Sequence, residues 1–229
     1  MPAEVPALWP TEAVRAQAVA ARGYAFVSLK SGGSFDVRPT AADQVYGGVR
    51  IEHPASTQAV VDTTGQVVVN AKGNPRRTYF FATGGGATEN IAYAWPNRDG
   101  SPGSSAGYLV GRIDTDKNGV PFDIRGRDPS KTLSAYQFSW QTGSFTLAQL
   151  NRVIASNANT APAGKISDIS QIKFDYGVSR VYRVTIVGDK RTVTVSSIVF
   201  KGAYNKAVDS GIVSGGKLNS TMYFLEQLP

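Results

Sequence analysis

The sequence predicts an α+β fold, strand-rich, with one long N-terminal helix and a shorter second helix. Three observations carry that expectation. Apolar side chains recur on one helical face between residues 11 and 29. From about residue 165 onward they alternate with the two-residue period of strands, and a short apolar stripe at helical spacing lies between the two regions. At 229 residues and 41% hydrophobic, the chain is long and apolar enough to enclose a core. It carries no internal repeat, and residues 1–229 read as a single domain with an irregular loop or insertion at about 95–132.

The long helix opens at Pro10-Thr11-Glu12, with a proline beside its start and Glu12 in the first turn as a partner for the helix dipole. Val14, Ala18, Ala21, Ala25 and Leu29 form its apolar face, and Gly32-Gly33 is expected to end it. Arg15 and Arg22, seven apart, share a second stripe. Residues 66–70 and 77–81 are short β-branched or aromatic runs around a Lys72-Gly73-Asn74-Pro75 turn, and read as strands. Gly84-Gly85-Gly86 follows, a loop where backbone can approach a ligand closely. A strand is expected at 136–140, and the second helix begins at 146 with Leu147, Leu150 and Ile154 on one side. Strands are expected at 169–174, 180–187 and 191–195, the last two joined by a Gly188-Asp189-Lys190 hairpin turn. Residues 199–208 read as a short helix and 221–225 as a closing strand.

Composition excludes several chemistries. With no cysteine there is no disulfide framework, thiolate zinc site or cysteine nucleophile. His53 would have to serve alone in a triad or metal site, and reads as a loop residue before Pro54. No stretch approaches roughly 18 apolar residues, so no transmembrane segment is expected. Met1 runs straight into Pro2, Glu4 and Pro6 without the basic and apolar regions of a leader, so an exported protein would be present here in mature or trimmed form. The net charge of +7 calls for a polyanionic neighbour or a generally basic surface. Bacterial cell wall and nucleic acid both fit the sign. The basic residues are scattered and no recognition motif accompanies them, so nucleic acid is not expected as a partner. Asp114, Asp116 and Asn118, followed by Gly119, open like a calcium loop. Arg125 stands where such a loop needs its bidentate glutamate, so the expectation is a plain turn, with no metal and no cofactor.

The segment from Ala3 to Ala25, with Glu4-Val5-Pro6, Trp9-Pro10 and Glu12-Ala13-Val14-Arg15-Ala16-Gln17-Ala18-Val19-Ala20-Ala21-Arg22-Gly23-Tyr24-Ala25, resembles the signature of the SpoIID/LytB family. Further stretches are similar to that family in the same order: Gln44-Val45-Tyr46-Gly47-Gly48, then Gly84-Gly85-Gly86-Ala87-Thr88-Glu89, then Leu218-Asn219-Ser220-Thr221-Met222-Tyr223-Phe224. The resemblance implies a secreted or cell-wall-associated bacterial protein acting on peptidoglycan glycan strands. Its activity would be that of a lytic transglycosylase or, as in LytB-type relatives, of an enhancer of a cell-wall amidase, which would then be its partner.

The resemblance places the catalytic acid at Glu4. Cleavage of a glycosidic bond needs a proton delivered to the leaving oxygen, and a transglycosylase closes the sugar's own 6-hydroxyl onto C1, so one carboxyl group suffices. By the same resemblance Arg15, Arg22, Tyr46, Gly84, Gly85, Gly86, Thr88 and Glu89 are substrate-binding candidates. The chain departs from the family where members carry Cys and His around the Gln-Val-Tyr element. Arg38, Pro39, Thr40, Ala41, Ala42 and Asp43 stand there instead, so no zinc is expected. The family's late Gly-His-Gly element has no counterpart before Pro229.

Overall fold

The computed structural model describes every residue except 31, 83, 85, 121–142, 224 and 226–229. Among the described residues there are five α-helices and one three-stranded antiparallel sheet, which is the expected α+β class. The chain gathers into two compact units, Met1–Thr83 and Gly84–Pro229.

The first unit is built on two helices, α1 (Thr11–Val27) and α2 (Pro54–Asp62). Val14, Ala18, Ser56 and Ala59 are buried, and these small side chains let the helices approach closely. Helix α1 stops at Val27, short of the expected Gly32-Gly33. Ser28 caps it, its hydroxyl donating to the Tyr24 carbonyl at 2.8 Å, and Leu29 lies exposed beyond the end. No periodic signal in the sequence marks a helix at 54–62. Its start signal is Pro54 in the first turn after His53, whose Nδ1 accepts the Ala55 N–H at 3.2 Å. His53 is therefore a helix cap rather than a loop residue.

The expected strands at 66–70 and 77–81 do not form a ladder. The turn between them is present: Asn70 Oδ1 accepts from Lys72 N–H at 3.0 Å and Asn74 N–H at 2.9 Å, and Gly73 adopts φ +78°. Pairing then amounts to one bridge between Val69 and Pro75, flanked by bonds from the Asn70 N–H to the Asn74 carbonyl and from the Arg76 N–H to the Val68 carbonyl, and Thr78 turns to α1 instead. Thr78 Oγ1 donates to the Ala20 carbonyl at 2.6 Å. A Cβ on Gly23 would lie 2.6 Å from that hydroxyl and 3.2 Å from the Arg76 carbonyl. Gly23→Ala is thus expected to destabilise the chain by about 1–2 kcal/mol, since the clash outweighs the roughly 1 kcal/mol of helix propensity gained. The urea midpoint would fall; a rise would show that the 76–78 segment yields freely.

The second unit holds the larger core. Strands β1 (Ile172–Tyr176), β2 (Val181–Val187) and β3 (Thr192–Ser196) pair in sequence order, with Ile186 opposite both Ile172 and Val193. The short helix α3 (Ile91–Ala94) precedes them in the chain, and helices α4 (Leu147–Ala155) and α5 (Ser197–Asp209) complete the unit. Helix α4 starts in a reciprocal cap between Thr146 and Gln149, and buries Leu150, Val153 and Ile154. Phe200, Ala203, Tyr204 and Ala207 of α5 join Val181, Val184 and Ile186 of β2 in one core. Tyr223 packs its ring against Phe174 and Phe200, so residues 218–223 dock on this core instead of adding a closing strand. Asn205 clamps them, its amide pairing with both the N–H and the carbonyl of Leu218. The strand expected at 136–140 lies outside the described residues.

Candidate functional site

Glu4 sits in a tight N-terminal turn. The N–H groups of Glu4 and Val5 both bond the Met1 carbonyl, at 2.9 and 3.2 Å, and Val5 is buried as an anchor. The Glu4 carboxylate accepts the backbone N–H of Val45 at 2.6 Å through Oε1. The residues preceding Val45 are themselves tied down. Gln44 Nε2 donates to the Ala21 carbonyl on α1 at 2.9 Å. Asp43 accepts the Arg38 N–H at 2.9 Å and the Tyr24 hydroxyl at 3.2 Å. Three consecutive residues, 43 to 45, thus link the loop to α1, to itself and to Glu4.

The Arg38 N–H, helped by the Tyr24 hydroxyl, holds the Asp43 carboxyl below the usual carboxylate range. A lowered value means that the contribution of Asp43 is complete above the ordinary Asp value of about 3.9 and is lost as pH falls through the lowered one. The Arg38 amide is expected to lose hydrogen-exchange protection over that fall, and protection that persists unchanged would count against the tie.

Glu4, Gln17, Arg22, Gln44, Val45 and Tyr46 all line a cavity of about 460 Å³, with Ala18, Ala21, Val60 and Phe80 among its apolar walls. Tyr46 is half exposed, and its hydroxyl donates to Glu52 at 2.9 Å, which pushes the phenol above its usual value. The two glycines after Tyr46 make this return possible. Gly48 adopts φ +88°, and a Cβ on Gly47 would lie 2.7 Å from Ile51 Cδ1.

The two arginines differ. Arg22 reaches the cavity, but its guanidinium is occupied: Nη1 donates to the carbonyls of Thr63 and Gln66 at 2.6 and 2.8 Å, and Nη2 to the Val60 carbonyl at 3.1 Å. It caps the C-terminal turn of α2. Arg15 is not among the cavity-lining residues. It pairs with Asp62 at 2.6 Å and Glu12 at 2.7 Å, joining the two helices.

The remaining candidates belong to the second unit and are described there. Gly84 and Gly86 are described and Gly85 is not. Thr88 pairs with Arg112: Thr88 N–H donates to the Arg112 carbonyl at 2.8 Å, and the Arg112 N–H returns to Thr88 Oγ1 at 2.9 Å. The Glu89 carboxylate accepts the N–H groups of Val178, Ser179 and Arg180 at 3.1, 3.2 and 3.3 Å, filling the anion-binding turn between β1 and β2. In the would-be calcium loop, Asp116 Oδ1 accepts the N–H groups of Asn118 and Val120 at 2.8 and 2.9 Å, and Gly119 adopts φ +78°. That is an aspartate-closed turn. Asp123 and Arg125 lie outside the described residues.

Sequence reasoning passed over Gln17, Asp43 and Glu52. Gln17 stands inside the long N-terminal motif, but a single glutamine in an alanine-rich helix gives no sign of pointing inward.

The SpoIID family model, described as Stage II sporulation protein, matches residues 1–70, the stretch that supplies Glu4, α1, the 43–46 loop and α2. Over that stretch the chain is similar to the SpoIID family. It is also 29% identical over 215 residues to the Amidase enhancer of Bacillus subtilis strain 168, a match covering 90% of this chain and 28% of that protein. An uncharacterised protein of Brachyspira hyodysenteriae is 39% identical over 93 residues, which cover 39% of this chain and 25% of that protein. The matches thus span about a quarter of the length of these relatives. No solved structure matches the chain. Within this matched segment, hydrogen bonds from Tyr24 and Arg38 close the loop around Asp43.

Proposed function

We propose that this chain acts on the bacterial cell wall as a peptidoglycan lytic transglycosylase, cleaving the MurNAc–GlcNAc glycosidic bond and leaving 1,6-anhydro-MurNAc ends. The observation that carries the reading is the setting of Glu4. It is a carboxyl group on the wall of a cavity of about 460 Å³, with Oε1 fixed by Val45 N–H and Oε2 without a hydrogen bond among the described residues. In this mechanism protonated Glu4 gives its proton to the glycosidic oxygen as the bond to C1 breaks. The resulting carboxylate takes the proton of the 6-hydroxyl as O6 closes onto C1, so Glu4 ends protonated and no water is consumed. Tyr46, held by Glu52, offers a ring to a sugar face. Arg15 and Arg22 act by fixing α2 against α1, and Thr88 and Glu89 enter as structure.

The second reading is a non-catalytic wall-binding or amidase-enhancing module, working outside the cell with a cell-wall amidase as its partner. The similarity to the Bacillus subtilis Amidase enhancer over 90% of this chain favours it. Mass spectrometry of soluble products from intact and peptide-stripped peptidoglycan separates the two. Anhydro-sugar ends are expected from the transglycosylase. Sedimentation with wall and stimulation of an added amidase, with no new ends, would replace it by the enhancer.

A further inference from the structure

We infer that the side-chain amide of Gln17 is a recognition group of the Glu4 cavity, and that it takes the acetamido group of a 2-acetamido sugar. This rests on the glycan reading just proposed. Gln17 lies on α1, is only 6% exposed and lines the same cavity as Glu4. Its Nε2 is covered and has no hydrogen-bond partner among the described residues. Such a donor is costly to leave unpaired, and a native fold retains one where something else completes it. The rest of the site shows the contrast: the Arg22 guanidinium, the Gln44 amide nitrogen and the Tyr46 hydroxyl in the same cavity all donate to the protein.

The chemistry of the surroundings selects the occupant. The cavity that Gln17 lines also presents Ala18, Ala21 and Val60, small apolar side chains without polar atoms. A carboxamide both donates and accepts, and a half-turn of its terminal torsion exchanges the two ends. An acetamido group supplies a carbonyl, an N–H and a methyl, which match the amide and the apolar wall together. A de-N-acetylated sugar supplies an ammonium, which has three donors and no acceptor. It would leave the Gln17 N–H unpaired.

The test compares peptide-stripped glycan strands with the same strands chemically de-N-acetylated, bound by the wild-type chain and by Gln17→Met. High salt screens the response of a basic chain to the added ammonium groups. Wild type is expected to bind the acetylated strands at least about tenfold more tightly. Gln17→Met, checked for fold by circular dichroism, is expected to lose most of that preference, and Gln17→Glu, which keeps the shape, is expected to lose it too. Equal wild-type binding to both strands overturns the inference alone, and anhydro ends from either would leave the transglycosylase standing. A preference that both variants retain overturns the assignment to Gln17. Failure to bind either strand overturns the inference together with the reading beneath it.

Discussion

Glu4→Gln is expected to lower the release of anhydro-ended fragments from peptide-stripped peptidoglycan by about 10²–10⁴-fold, the range for removing one general acid–base group. Glutamine is the informative replacement. Its amide oxygen can still accept the Val45 N–H that Glu4 Oε1 holds at 2.6 Å, so the loop at 43–46 and the cavity should persist. What the amide cannot do is give a proton to a leaving oxygen or take one from a hydroxyl. Glu4→Ala would remove the acceptor as well, leaving the Val45 N–H to find another, and is expected to loosen the loop. Loss of products in Glu4→Gln with glycan binding retained would place the acid at Glu4. Unchanged product release would move it elsewhere and leave the Glu4–Val45 bond as a purely structural tie.

Glu89→Ala is expected to destabilise the second unit by about 2–4 kcal/mol, the scale for losing several hydrogen bonds to a charged acceptor. The carboxylate gathers three successive N–H groups of the 178–180 turn, and the turn is shaped around it: a Cβ on Gly177 would lie 2.5 Å from Glu89 Oε2. Arg180 adds to the cost. Burial already holds its guanidinium below the usual value, while the charge of Glu89 works the other way. Glu89→Gln should cost about 1–2 kcal/mol, because one oxygen still accepts while the new amide hydrogens face donors. Urea unfolding of both variants checks the order. A loss below about 0.5 kcal/mol in Glu89→Ala, the level of an ordinary surface change, would show that water replaces the carboxylate.

The elements with a strong periodic signal were legible. Helices α1 and α4 and the three strands lie where spacing places them, with ends shifted by a few residues. Helix α2 was not, since its nine residues include Val60 and Val61 and its start depends on a histidine cap. The runs at 66–70 and 77–81 misled for the opposite reason. They have strand composition, but pairing stops after the Val69–Pro75 bridge and Thr78 is attached to α1 instead. At the site, Glu4 and Tyr46 were reachable through the motif that carries them. The employment of Arg15, Arg22, Thr88 and Glu89 was not, because each is held by residues at least 24 positions away.

By itself the sequence determined the fold class, the absence of thiol chemistry and the motif that sets Glu4 before an alanine-rich helix. Those are properties of composition and local spacing, and local spacing is where helical and strand periods are written. The tertiary structure alone decided which polar groups are already spent. Arg22 caps α2 and Glu89 fills a turn, while Gln17, in the cavity of Glu4, keeps a covered amide nitrogen without a partner among the described residues. A side chain's availability depends on long-range partners that satisfy buried donors and acceptors, and no spacing along the chain encodes them.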